Sequence, residues 1–308
     1  MLFKNVLDEK YRTMIPIFND LLEMALNNQT HVGDLLLLHE NAGYNKEYLK
    51  HDNLGYPPDP YVIGLQVESH SDITHYNFIG DYVNKSSKII QNDYLDLVKY
   101  DKDRVEEIND LEQKETMSVQ IEMLIYIKIW ESDTFIKKMY QLARVINGED
   151  YDWHFKVKGH DKKDTGGFTR SVLLNNHIIN RFEHTLPKLH RYLYNSYNTQ
   201  IRNAIAHSQY FIVGRNITFN NHRSNNVDSM SHITFDNWCT LFHETIMLYS
   251  MFNDFLNKVN NIYYDLSQEN GKSIETRINR TYPIKETKFF RLYTRDHFKD
   301  WSPHKSED

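Results

Sequence analysis

The sequence predicts a mainly α fold: an antiparallel helical bundle with a small β-hairpin insertion, preceded by a mixed α/β N-terminal region. Three observations lead to this prediction. Glycine and proline are scarce, at 11 and 7 of 308 residues, which favours long helices over many tight turns. Apolar residues recur at helical spacing through the middle of the chain. Short strand-like runs near residues 210–219 interrupt that spacing.

The N-terminal region, residues 1–112, is expected to mix helix and strand and has no assigned role. The charged run from Asp101 to Glu112 is interpreted as a solvated helix face or a linker. The predicted elements are a helix over Leu7–Ala25 that Pro16 kinks or begins, a helix over Leu35–Leu38, a loop over Gly55–Pro60, a strand over Tyr61–Val67 and a helix over Ile89–Tyr100.

Residues 113–266 are expected to form the helical bundle. Asn198 and Thr199 are both good N-cap residues, so one helix is expected to begin there. The predicted elements are a long helix over Met117–Ile146, a flexible loop over Gly159–Gly167, a helix over Arg170–Tyr197 broken near Pro187, the helix that follows Asn198, a hairpin of Tyr210–Val213 with Ile217–Phe219, a strand-like run over Ile233–Phe235, and a last long helix from Trp238 through Val259.

Composition excludes several classes of protein. One cysteine, Cys239, allows no internal disulfide and no cysteine-rich zinc site, and its apolar surroundings indicate a buried filler. The N-terminus lacks a signal-peptide pattern, and no apolar run is long enough to cross a bilayer. A cytoplasmic protein without a membrane partner is therefore expected. The net charge of −6 does not indicate a general nucleic-acid binder, so any RNA contact must be local.

The tail, residues 267–308, is locally basic and is expected to pack on the helical domain. If it is helical, its basic residues share one side and aromatic residues lie between them. One interpretation is a docking helix with an ordinary solvated face. The other is an RNA-contacting surface, with cations on phosphates and aromatic rings on bases. The candidate RNA-binding residues are His222, Arg223, Lys285, Lys288, Arg291 and Arg295, with Lys299 also on the basic side of the tail.

One arginine and one histidine have the chemistry that phosphodiester cleavage requires. Arg202 offers a permanent charge and a fork of donors that fits phosphate oxygens and stabilises a pentacoordinate transition state. A histidine such as His207 changes charge near neutral pH, so it can accept a proton from a ribose 2′-hydroxyl or donate one to the leaving 5′-oxygen. Asn203, four residues before His207, could orient the imidazole or contact the phosphate.

The spacing of this pair is weak support by itself. In three other pairs a histidine also follows an arginine after four to six residues, namely Arg170/His177, Arg215/His222 and Arg291/His297. Arg202/His207 differs in having Asn203 directly after the arginine, an Ala-Ile-Ala spacer, and long helices on both sides. The remaining histidines show no convincing zinc spacing, and His243-Glu244 lacks the second histidine of a zinc-protease helix. No metal or cofactor is therefore expected.

Arg202-Asn203-Ala204-Ile205-Ala206-His207 resembles the active-site motif of the HEPN superfamily, and the resemblance covers roughly residues 113–266. It implies a helical bundle with the motif at the start of a late helix, metal-independent RNA cleavage through the 2′-hydroxyl, and a homodimer that combines two motifs in one site. Arg202, His207 and Asn203 would be catalytic. Glu131 and Asp133 would match an acidic pair on an earlier helix or, equally, form an exposed helix face. Tyr210 stands three residues after His207, where some relatives have a tyrosine at two.

The resemblance implies an endoribonuclease toxin or anti-phage abortive-infection protein, with an antitoxin or other regulatory partner as its restraint. Two alternatives stay open. One is a non-catalytic HEPN-like module that binds a nucleotide, RNA or a protein partner. The other is an unrelated helical protein in which the motif occurs by chance.

Overall fold

The computed structural model describes residues 1–50, 59–64, 67–158, 167–224, 229–281, 284–296 and 300–304. This part of the chain is mainly helical and carries small antiparallel sheets, as the sequence predicts. Among these residues, no helix combines the length and the apolar character that crossing a bilayer requires.

The helices are α1 (Lys4–Asn28), α2 (Asp34–His39), α3 (Val67–Ser86), α4 (Gln91–Leu97), α5 (Val105–Trp130), α6 (Asp133–Val145), α7 (Arg170–Val172), α8 (Pro187–Ser196), α9 (Thr199–Ala206) and α10 (Phe235–Glu269). A 3₁₀ turn covers Lys46–Lys50. After α7 the chain continues as a π-helical turn, Leu173–Ile178, and a 3₁₀ turn, Ile179–Phe182. The expected break near Pro187 is confirmed, and proline there occupies the first position of α8.

Three small antiparallel sheets complete the described structure. The first pairs β1 (Gly43–Tyr44) with β2 (Tyr61–Val62). The second has the order β3 (Tyr210–Val213), β4 (Asn216–Phe219) and β5 (His232–Thr234). The third has the order β6 (Ser273–Arg280), β7 (Glu286–Arg295) and β8 (Asp300–Ser302). The predicted hairpin at 210–219 is therefore confirmed.

The chain divides into two compact units, each assembled from three segments. Unit 1 comprises residues 1–17, 73–132 and 188–251, and unit 2 comprises residues 18–72, 133–187 and 252–308. The expected boundary at 112/113 falls inside α5, and the boundary at 266/267 falls inside α10. Both are uninterrupted helices, so neither position is a linker.

The core of unit 1 is organised around a buried carboxylate. Glu122 on α5 is fully buried and accepts hydrogen bonds from Trp238 Nε1 at 2.8 Å and from the Tyr82 hydroxyl at 3.0 Å. The ring of Trp238 also packs on Tyr126, with centroids 5.7 Å apart. These contacts fix α5 against α3 and the first half of α10, because an unpaired buried carboxylate would be costly.

Unit 2 has an aromatic core of its own. Phe135 on α6 meets Phe252 edge to face, with centroids 5.4 Å apart. Trp153 packs against Tyr151 at 5.1 Å and against Phe290 of β7 at 6.5 Å. Such pairs add specific geometry to the apolar area that they bury.

The predicted single helix over Met117–Ile146 is wrong. The structure has two helices, α5 and α6, separated at Glu131 and Ser132. Serine and aspartate are favoured at helix N-termini, and Ser132-Asp133 begins the second helix for that reason. Apolar spacing continues across the break, which is why the sequence pattern conceals it.

The tail does not meet the condition under which its basic residues would share one side of a helix, because Glu286–Arg295 is strand β7. Side chains along it alternate between the two faces of the sheet instead of sharing one side of a helix. The strand predicted over Tyr61–Val67 is shorter than expected, since β2 ends at Val62 and helix α3 begins at Val67; residues 65–66 lie outside the described part. Of the expected loops over Gly55–Pro60 and Gly159–Gly167, residues 55–58 and 159–166 also lie outside it.

Candidate functional site

The helix that carries the motif is capped as the sequence predicts. The Oδ1 of Asn198 accepts a hydrogen bond from the Ile201 N–H at 3.0 Å, so α9 begins at Thr199. The backbone N–H of Asn198 donates to the Tyr126 hydroxyl at 3.0 Å. Burial raises the pKa of Tyr126, which keeps this hydroxyl protonated. The last turns of α5 therefore hold the start of α9 in place.

Arg202 is fixed by two partners in unit 1. Its Nε forms an ion pair with Glu131, the residue directly after α5. Its Nη1 donates to the Oδ1 of Asn203 at 2.7 Å. The side chains of Arg202 and Glu131 are 21% and 28% exposed, so the guanidinium is partly shielded but still reachable from solvent. Among the described residues, no hydrogen-bond partner is found for Nη2 of Arg202, so this nitrogen can donate to the oxygen of a bound anion.

His207 lies directly after α9. Its backbone N–H donates to the Asn203 carbonyl oxygen at 3.0 Å and closes the last turn, and its side chain is exposed. The HEPN resemblance implies a motif at the start of a late helix; here Arg202 is the fourth residue of the eight-residue α9, and His207 follows its last residue, Ala206. Within the described residues no hydrogen bond to the imidazole is found. The Asn203 side chain accepts a hydrogen bond from Arg202, and it does not orient His207 in this arrangement.

Helix geometry separates the arginine from the histidine. Five residues correspond to about 7.5 Å of rise and roughly 140° of rotation about the axis. Arg202 lies in the middle of α9 and is turned towards Glu131, while His207 is the C-cap residue after Ala206. One copy of the motif therefore offers one cationic group and one titratable group on different sides of α9.

Glu131 and Asp133, the expected acidic pair, contact different arginines. Glu131 contacts Arg202, while Asp133 opens α6 and forms an ion pair with Arg170 at 2.8 Å within unit 2. Tyr210 begins β3, is half-buried and pairs with Phe219 of β4. No described contact links Tyr210 to Arg202.

Gln200 is a positioning residue that the sequence analysis missed. Its side chain exchanges two hydrogen bonds with the backbone of Met230, at 2.7 and 2.9 Å. Its carbonyl oxygen accepts from the Asn221 amide at 2.9 Å. These bonds tie the β4–β5 loop to α9, and the exposed His222 and Arg223 follow Asn221 in that loop. The sequence gives no signal for these bonds, because Gln200 and Met230 are thirty residues apart.

The arginines of the other three Arg/His pairs each contact a carboxylate. Arg215 makes a bidentate pair with the buried Glu115, with both N–O distances at 2.9 Å, and a third contact with Asp236 at 3.0 Å. Arg170 pairs with Asp133, as described above. Arg291 lies 3.7 Å from Glu275 on the neighbouring strand. His297 lies outside the described residues.

The basic residues of the tail differ in how firmly they are paired. Lys288 Nζ lies 2.7 Å from Asp59, and Arg295 Nε lies 2.8 Å from Asp300. Lys285 is exposed, and Lys299 lies outside the described residues.

Cys239 and His243 are buried in unit 1. Burial raises the pKa of the Cys239 thiol to about 12, so the thiol is not activated as a nucleophile, and it lowers the pKa of His243 to about 4. The His243 Nε2 accepts from the Phe3 N–H at 2.8 Å, and Nδ1 donates to the Cys239 carbonyl oxygen at 2.6 Å. Over the described residues, no group of three histidine, cysteine, aspartate or glutamate side chains is arranged to hold a metal ion.

Comparisons with known proteins found no matching family model, no matching curated protein and no matching solved structure.

Proposed function

We propose that this protein is a metal-independent endoribonuclease of HEPN type that acts on cellular RNA in the cytoplasm, in toxicity or anti-phage defence. The observation that carries the proposal is the arrangement around Arg202. A cation held by Glu131 and Asn203 lies on the short helix α9, within reach of solvent, and an exposed histidine directly follows that helix. This combination suits an anionic phosphodiester better than a neutral substrate.

In the proposed reaction, a neutral His207 accepts the proton of a ribose 2′-hydroxyl. The 2′-oxygen attacks the adjacent phosphorus, and Arg202 stabilises the extra negative charge of the pentacoordinate transition state. The bond to the 5′-oxygen then breaks, and a protonated histidine returns a proton to that oxygen. The products are a 2′,3′-cyclic phosphate and a 5′-hydroxyl. Glu131 and Asn203 keep the guanidinium oriented.

An exposed apolar stripe on α5 supports a homodimer as the working form. Met117, Ile121 and Leu124 are 66%, 42% and 50% exposed, and their spacing places them on one helix face. The same spacing continues through Lys128 to Glu131, the partner of Arg202. Pairing two copies through this stripe would cover the apolar side chains. It would also bring two motifs together, and Arg202 of one copy and His207 of the other could then share a phosphate.

Two observations favour the non-catalytic alternative. Glu131 compensates the charge of Arg202 in the free protein, and the chain as a whole carries a net charge of −6. A module that only binds a partner through α9 has no need of an uncompensated cation at Arg202.

The two functions are separated by cleavage assays of the full chain in EDTA. Wild type is expected to yield cyclic-phosphate ends, and Arg202→Ala and His207→Ala to lose at least a hundredfold in rate. Expression should arrest growth for wild type and not for His207→Ala, unless an antitoxin or regulatory partner is present. His184→Ala is the matched control, since it also removes one exposed histidine, one outside the motif and the candidate RNA-binding residues. Equal cleavage by wild type and both motif variants would overturn the proposal.

A further inference from the structure

The outward face of the third sheet carries cations beside an exposed aromatic ring. The odd-numbered residues of β7 point away from the core. On the other face of the strand, Leu292 and Thr294 are buried. Phe289 is 63% exposed although it lies within a strand. Arg277 of β6 stands directly opposite Phe289, with its guanidinium 5.6 Å from the ring centroid.

Arg291 occupies the next outward position after Phe289, about 7 Å along the strand. Its only described acidic neighbour is Glu275, at 3.7 Å, and both side chains are about 60% exposed. An ion pair this long and this solvated contributes little, so an incoming phosphate can displace the carboxylate. Arg295 lies on the same outward face. Its guanidinium makes a bidentate pair with Asp300 of β8, at 2.8 and 2.5 Å, and is therefore less available to a ligand.

We infer that Arg277, Phe289 and Arg291 form a binding surface for single-stranded RNA, an inference that rests on the proposed function because it names where the substrate is held. A base stacks on the Phe289 ring, and the two guanidiniums contact the flanking phosphates. Lys288, on the same strand, does not take part. It points to the other face, where it pairs with Asp59 and lies 5.5 Å from the Tyr61 ring.

The charge pattern favours RNA over an apolar protein partner. Arginines flank the exposed ring on two neighbouring strands, and the outward face offers no second large aliphatic side chain within β6–β7. Stacking on one ring with phosphate contacts on either side matches the repeat of a single strand. A duplex would hide its bases from Phe289, so single-stranded RNA is the expected ligand.

The test measures binding of a fluorescent single-stranded RNA to the full chain carrying His207→Ala, in EDTA, so that cleavage does not interfere. Phe289→Leu, which keeps the apolar side chain and removes the ring, is expected to weaken binding about tenfold, and Phe289→Trp to retain it. Arg291→Gln is expected to weaken binding and to reduce the salt dependence by about one phosphate contact. Glu275→Gln is expected to tighten binding, because it frees Arg291.

Lys288→Gln is the matched control, since it removes a cation from the same strand but from the opposite face. Binding unchanged in both Phe289→Leu and Arg291→Gln, or weakened equally by Lys288→Gln, would overturn the inference. So would equal affinity for duplex RNA. This outcome is distinct from failure of the proposed function. A chain that binds RNA through Phe289 yet never cleaves it would refute the nuclease alone, and a chain that cleaves RNA with no role for Phe289 would refute the surface alone.

Discussion

Glu131 and Arg202 form an ion pair that joins the end of α5 to the motif helix α9. Seventy-one residues separate them in the chain, and both are less than one-third exposed. A partly shielded pair of this kind restricts the rotamers of the arginine more than it stabilises the fold. Glu131 is therefore a positioning residue for the proposed chemistry.

Glu131→Ala is expected to lower kcat for RNA cleavage roughly tenfold, because Arg202 loses its orienting partner, while the free energy of unfolding falls by only about 1 kcal/mol. Glu131→Gln keeps an acceptor for the Nε–H and should retain most of the activity. Single-turnover cleavage and urea unfolding of the same samples measure the two effects. If both variants lose stability and activity in proportion, Glu131 is merely structural.

Leu124→Glu is expected to weaken self-association, because it places a charge in the exposed apolar stripe of α5. Since Leu124 is half exposed, the substitution should leave the monomer folded. Sedimentation at several protein concentrations, with cleavage measured in parallel, checks this expectation. Leu97→Glu is the control, because it makes the same substitution at a comparably exposed leucine that lies on α4 and not in the stripe. Full cleavage by a purely monomeric Leu124→Glu protein would show that one motif suffices.

Arg215→Ala tests whether spacing or context defines the candidate site. The substitution leaves the buried Glu115 without its bidentate partner and is expected to cost about 3 kcal/mol of stability. The rate of RNA cleavage per folded molecule should be unchanged, because Arg215 has a structural role in the β3–β4 turn and is not part of the candidate site. Thermal unfolding and activity corrected for the folded fraction are the measurements. A selective loss of cleavage in well-folded Arg215→Ala would transfer the catalytic role to Arg215.

His243 should make unit 1 sensitive to mild acid. Burial lowers the pKa of His243 to about 4, whereas an unfolded chain titrates near 6.5. Between these values the unfolded state binds the extra proton, so stability is full above about pH 6.5 and is lost as the pH falls towards 4. The loss amounts to about 3 kcal/mol at most. Urea unfolding from pH 7 to 4 measures it, and His243→Gln should have a flatter dependence over that range.

The sequence by itself determined the mainly helical class and the elements whose signals are local. The Asn198 cap begins α9 through its own side chain, and Gly214-Arg215 closes the β3–β4 hairpin within four residues on either side. The long apolar pattern from Trp238 to Val259 likewise sufficed for α10. In each case the atoms that decide the structure lie close together in the chain.

Only the tertiary structure decided which residues share a site. Glu131 reaches Arg202 because α5 ends at Trp130, although the apolar pattern continues to Ile146. Asp133 pairs with Arg170 because a new helix starts at Asp133. The tail is a strand because β6 and β8 supply the hydrogen bonds on both sides of β7, and these partners are not visible in its own residues. Pairing between distant segments overrides local propensity, and it separates Arg291 from Lys288 by the two-residue alternation of a strand.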